Sequence, residues 1–132
     1  MKLNSMSALW ARTALLWFAV TVSLGMYMGV TEEFQFTPSH AHMGVLGWLS
    51  SGVYAFFYAA APEDRAGARA PSLHWAAHTI GVAIMAGALF VAIGLQNEAA
   101  RPVIGIGASI VVASVFWSLL LLWPRLAPRG ET

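Results

Sequence analysis

The sequence predicts an all-α protein: an integral membrane bundle of four helices, with both termini cytoplasmic. Three observations lead there. The 132-residue chain is 58% hydrophobic and only 10% charged, whereas soluble domains carry roughly 25% charged residues. Its apolar residues gather into four stretches close to the ~20 residues that a helix needs to cross a bilayer. Short segments rich in Pro, Glu and Arg separate those stretches, and the mean hydropathy of +0.67 agrees.

The first stretch runs from about residue 9 to 30, with Arg12 near enough to its end to snorkel towards water. TEEFQFTP leads into the second, about 39–61. There Thr37 is expected as a hydroxyl N-cap, with Pro38 at the first helical position. The linker PEDRAGARAPS precedes the third stretch, about 73–95, with Ser72 as its cap. QNEAARP turns the chain into the fourth, about 103–123, which Pro124 and the tail RLAPRGET end. The N-terminal MKLNSMSALWAR lacks a small-residue cleavage site after a short apolar stretch, so the first helix is expected to stay in the mature protein. One transmembrane domain spanning 1–132 follows.

Charge sets the expected orientation. Lys2, Arg12, Arg65, Arg69, Arg125 and Arg129 fall on one side of the four stretches, and Arg101 alone on the other. By the positive-inside rule, the termini and the middle linker face the cytoplasm of a multi-pass inner-membrane protein. Glu32, Glu33 and Glu98 then face outward. A net charge of +1 with no basic run gives no ground for nucleic acid as a partner, and membrane lipid is the expected one. Trp10, Trp48, Trp75, Trp117 and Trp123 suit an aromatic belt, with Trp48 and Trp117 deeper. Gly25/Gly29, Ala83/Gly87 and Gly105/Ser109 are small-xxx-small pairs that let helix backbones approach, within one chain or between copies.

Chemistry concentrates in four histidines. No cysteine is present, so a metal would have to be held by histidine, methionine, tyrosine or carboxylate. His40 and His42 stand one residue apart at the mouth of the second helix, and ionisable residues in an apolar span are functional candidates by default. Successive helical residues turn by about 100°, so one helix can aim these rings at two different sites. Either could ligate haem iron or copper, and Met43, Met26 and Met28 lie at similar depth. His74 and His78, one turn apart on the third helix, share a face. They suit helix-end hydrogen bonding, metal ligation or proton transfer. Placed one turn inside opposite ends of their helices, the two pairs are expected roughly 20 Å apart in depth, too far for His42 and His78 to share one iron. Tyr54 and Tyr58, also one turn apart, are expected to pack with satisfied hydroxyls.

SHAHMGVLGW followed by SSGVYAFFYAAAP resembles the tenth transmembrane helix of haem–copper oxidase catalytic subunits, above all the cbb-type oxidases and nitric oxide reductases. The residues that carry this are His40, His42, Gly47, Trp48, Tyr58 and Pro62. SLHWAAHTIG echoes the start of the following helix through His74, Trp75, Ile80 and Gly81. The resemblance covers about residues 38–94. It implies that His40 matches the ligand of a high-spin haem and His42 that of a low-spin haem b. The family's copper-site residues and its second low-spin ligand have no counterpart here, so oxidase catalysis does not carry over. Those subunits consist of three arcs of four helices, and a single arc implies a homo-oligomer, a trimer by analogy. The expected cofactor is haem b, bound by His42 and His40 with His78 and His74 nearby. The expected roles are electron transfer or O2/NO binding, with a quinone or a cytochrome as redox partner. Copper at His40/His42, or a haem-free assembly subunit, are the alternatives.

Overall fold

A computed structural model describes residues 3–61 and 69–126. Among these the chain is helical, and its four helices are all long and apolar enough to cross a membrane. They are α1 (Ser5–Thr31), α2 (Phe34–Ala60), α3 (Arg69–Gly94) and α4 (Glu98–Leu126). Lys2, Pro62, Arg65 and Arg129 lie outside the described residues.

Each helix starts several residues before the expected position, because an apolar window marks the hydrocarbon-facing part of a helix and not its capped end. The first cap is Asn4, whose side chain accepts from the Ser7 amide at 2.8 Å. Its amide group also donates to the Tyr58 carbonyl at 2.7 Å, tying the start of α1 to the end of α2. Thr37 is not the N-cap of α2. A 3-10 turn, Phe34–Phe36, precedes it, Thr37 is itself helical, and its hydroxyl donates to the Phe34 carbonyl at 2.6 Å. That extra turn lets Phe36 bury against Phe90 and the Cα of Gly94. Ser72 likewise lies inside α3 and does not cap it. The chain leaves α1 through Glu32 in the left-handed conformation (φ 59°), a helix-ending geometry.

The helices run up and down. α3 is the central one: 44% of its apolar window is buried, against 22–28% in the others. α4 packs along α3, and α1 along α2. The α3–α4 contact is close because both helices present glycine to it. A Cβ on Gly81 would lie 3.0 Å from the Val111 amide, and one on Gly107 2.4 Å from the Met85 amide. The small-xxx-small pairs do not serve this purpose within the chain. Gly29, Gly87 and Gly105 meet nothing within 4 Å, Ala83 and Ser109 are exposed, and Gly25 faces an imidazole. The outer surface is apolar all round, as a helix in hydrocarbon requires: Leu16, Val30, Phe116 and Leu120 are all exposed.

Two wide π-helical turns interrupt the α-helical ladder: Met43–Leu49 in α2 and Phe90–Gly94 in α3. Such turns recur at functional sites, and the first begins immediately after His42.

Candidate functional site

The first half of the site is a buried aromatic and imidazole cluster in the half of the bundle where α1 begins. Trp10 is fully buried, so it belongs to the core and not to an interfacial belt. Its ring lies 5.1 Å from that of His74 and 5.5 Å from that of His78. Tyr54 stands edge-on to both imidazoles, at 4.7 and 5.2 Å. Both histidines are 1% exposed. Burying a polar ring in an apolar bundle is tolerable only if its nitrogens find partners, and most of them do. Tyr58 Oη and His74 Nδ1 share a hydrogen bond at 3.0 Å. His78 Nε2 donates to the Leu46 carbonyl at 3.0 Å. In the neutral ring His78 Nδ1 then faces the Ser114 hydroxyl at 3.1 Å, whose single hydrogen it must share with the nearer Val111 carbonyl at 2.7 Å. The Leu46 carbonyl sits within the wide turn of α2, so His78 ties α3 to that turn. Three atoms of this half have no hydrogen-bond partner among the described residues: Trp10 Nε1, His74 Nε2 and Ser51 Oγ.

The second half is the His40/His42 pair. Ser39 fixes this part of α2 by donating to the Ala86 carbonyl of α3 at 2.7 Å, fully buried. His40 turns the other way, onto α1: a Cβ on Gly25 would lie 2.8 Å from its Cε1. Glycine at position 25 is what leaves room for the ring, whose buried Nδ1 has no partner among the described residues. His42 is half-buried. Its Nδ1 donates to the Pro38 carbonyl one turn back, at 2.7 Å. A carbonyl can only accept, so in the neutral ring the hydrogen stands on Nδ1 and Nε2 carries a free lone pair. Proline at position 38 adds no amide of its own to the first turn.

The depth expected for the two pairs is corrected. His78 reaches the carbonyl of Leu46, only four residues beyond His42, a rise of about 6 Å, far less than 20 Å. The helices begin earlier than their apolar windows, so each pair sits about two turns inside. His42 and His78 remain poor joint ligands for a different reason: His78 is 1% exposed, with Nε2 bonded to the Leu46 carbonyl and Nδ1 against Ser114. His74 is equally no interfacial cap, because it lies inside the cluster. Of the nearby methionines, Met26 is exposed and Met28 buried. No group of three or more histidine, aspartate or glutamate side chains comes together among the described residues.

Sequence reading missed Ser114 and Ser118. They lie on the inward stripe of α4, Gly107–Val111–Ser114–Ser118–Leu122, whose 4-3-4-4 spacing is the signal in the sequence that could have found them. Tyr54 and Tyr58 both have bonded hydroxyls, the former donating to Ser118 Oγ at 3.2 Å. Comparison with family models, curated proteins and solved structures returned no match to this chain.

Proposed function

We propose that the chain is a haem b protein of the membrane, working as a homo-oligomer in electron transfer or in binding a diatomic gas such as O2 or NO. His42 is its axial imidazole. The posture of that ring carries the reading: Nδ1 is committed to the Pro38 carbonyl, which leaves a free Nε2 on a half-buried side chain. Metal-binding histidines are oriented in this way, by a second bond that fixes tautomer and ring angle. The resemblance of SHAHMGVLGW to the haem-ligating helix of haem–copper oxidases supports the same residue.

His40 fits a second iron or haem, because it faces α1 and not the side that His42 takes, and its Nδ1 is unpaired. His74 and His78 support the bundle in this reading: His78 is bonded to the Leu46 carbonyl and lies against Ser114, and His74, bonded to Tyr58 through Nδ1 with its Nε2 unpartnered among the described residues, is closed in by Trp10 and Tyr54 at 1% exposure. A sixth ligand for an iron on His42 then comes from a neighbouring copy, and the four-helix arc supports a trimer. Bound haem would supply a one-electron couple or a gas-binding iron. The chain's own residues hold the imidazole, fix its proton on Nδ1 and keep water away. The bias of positive charge supports cytoplasmic termini in an inner membrane.

The test is an optical spectrum of protein expressed with ample haem precursor, oxidised, reduced and with carbon monoxide. A Soret band that His42→Ala abolishes is expected. A colourless preparation, or an unchanged spectrum in that variant, refutes the assignment. One observation favours a second reading, copper at the outer pair: the buried, unpartnered Nδ1 of His40. Stoichiometric copper without a Soret band would establish it.

A further inference from the structure

A cleft of about 690 Å³ opens between α2 and α4, lined by Tyr54, Phe57, Ser118, Leu119, Leu122 and Trp123. It exists because α4 packs along α3 and meets α2 through the Tyr54–Ser118 bond. The volume falls in the range of small-molecule sites, about 300–1,000 Å³. So does the chemistry: apolar and aromatic walls around two hydroxyls. Leu119 and Trp123 are exposed at its side, so entry is from the hydrocarbon.

The two hydroxyls are not equivalent. Ser118 commits its hydrogen to the Val115 carbonyl at 2.7 Å, so it serves Tyr54 only as an acceptor. The Tyr54–Ser118 distance of 3.2 Å is long for an O–H···O bond, whose usual length is about 2.7–2.8 Å. Tyr54 therefore holds a weakly committed hydrogen at the floor of a lipid-facing cleft. Its ring cannot swing away, being wedged against Trp10, His74 and His78. An occupant that uses this donor is soluble in lipid and carries an uncharged carbonyl acceptor. The aromatic side chains of Phe57 and Trp123 favour a flat ring over a saturated chain.

We propose that the cleft binds the ring of a lipid-soluble quinone, with one quinone carbonyl accepting a hydrogen bond from Tyr54. An acyl chain would fill the same volume but leave the Tyr54 donor as poorly paired as before. The site lies apart from His40 and His42, and its occupancy does not depend on bound haem.

The test uses the full chain in detergent, prepared without added haem, with a photoreactive azidoquinone and peptide mapping of the adduct. Labelling is expected within residues 54–57 or 118–126. Decylubiquinone should compete with it, and an equal concentration of phosphatidylcholine should not. Tyr54→Phe keeps the ring and removes the donor, so competition should weaken about five-fold, the worth of one neutral hydrogen bond. Leu119→Trp places an indole in the cleft from a half-exposed position where folding tolerates it, and labelling should disappear. Adducts elsewhere, or labelling that survives Leu119→Trp, would overturn the proposal. Equal competition by phosphatidylcholine would make the cleft an acyl groove. Protection that grows with protein concentration would assign it to a second copy. Absence of a Soret band from the haem-supplied protein, with labelling intact here, would remove the haem reading and leave this one standing.

Discussion

Gly107→Ala tests the packing that holds the inner cluster in place. An alanine Cβ there would lie 2.4 Å from the amide nitrogen of Met85, 2.7 Å from its Cα and 2.8 Å from its Cβ, where ordinary contact begins at 3.4 Å. The nearest obstacles are backbone, so no rotamer relieves them, and α3 and α4 must part by about 1 Å. A gap of 0.5–1 Å forfeits roughly a quarter to a half of each dispersion contact across it. The contacts at stake join Val82, Met85 and Leu89 to Val111. Overpacking of this kind costs about 1–3 kcal/mol, and a backbone clash puts Gly107→Ala at the upper end. Gly105→Ala is the control: its Cβ meets nothing within 4 Å, so it should be neutral or slightly stabilising. Thermal unfolding in one detergent, followed by circular dichroism, compares the two. Equal midpoints for the two variants would refute the packing argument and return Gly105 to the helix interface.

Four further outcomes follow from the hydrogen bonds and contacts. His78→Leu leaves the Leu46 carbonyl and the Ser114 hydroxyl without their imidazole, so it should lower stability by about 1–3 kcal/mol. Ser114→Ala removes one bond of the two and should cost about 1 kcal/mol, read in the same melts. Tyr58→Phe strips His74 Nδ1 of its hydroxyl partner and should destabilise by about 1–3 kcal/mol; no loss would show that another group serves His74. Gly25→Ala meets only the flexible imidazole of His40, so it should leave the melting midpoint nearly unchanged while shifting the His40 ring resonances in a histidine-labelled NMR spectrum. The chain has no cysteine, so single Glu98→Cys and Arg125→Cys variants need no background correction. An impermeant maleimide should label the former and spare the latter in intact cells, and the reverse would invert the orientation.

The four helices were legible because hydrocarbon demands long uninterrupted apolar runs, and that signal survives every local detail. Helix ends were not. Asn4 caps α1 before the apolar run starts, and Phe34–Phe36 adds a turn ahead of Thr37, neither of which alters a hydropathy window. The wide turns at Met43–Leu49 and Phe90–Gly94 are equally silent, since nothing in MGVLGWL separates five-residue from four-residue bonding. Direction was the other loss. Lipid-facing and buried positions of a membrane helix are both largely apolar, so the contrast that identifies the buried face of a soluble helix is missing. Gly105 and Gly107 are indistinguishable by composition, and Trp10 looked interfacial because it stands near a chain end.

Hydrogen bonding and burial together distinguish the two histidine pairs where sequence could not. Within a bilayer an unmet donor or acceptor finds no water, so the interior answers each imidazole nitrogen or leaves it for something else. At His78 the protein answers Nε2 with the Leu46 carbonyl and sets the Ser114 hydroxyl against Nδ1, and a structural role accounts for the residue. At His42 the protein answers Nδ1 alone, using a carbonyl of the same helix that costs no tertiary contact. At His40 it clears space with Gly25 and leaves Nδ1 unanswered. His74 also leaves its Nε2 unanswered, but its ring is 1% exposed and closed in by Trp10 and Tyr54. The outer pair is the more accessible, with His42 half-buried, which is why ligation is assigned to it although the inner pair is the more deeply buried.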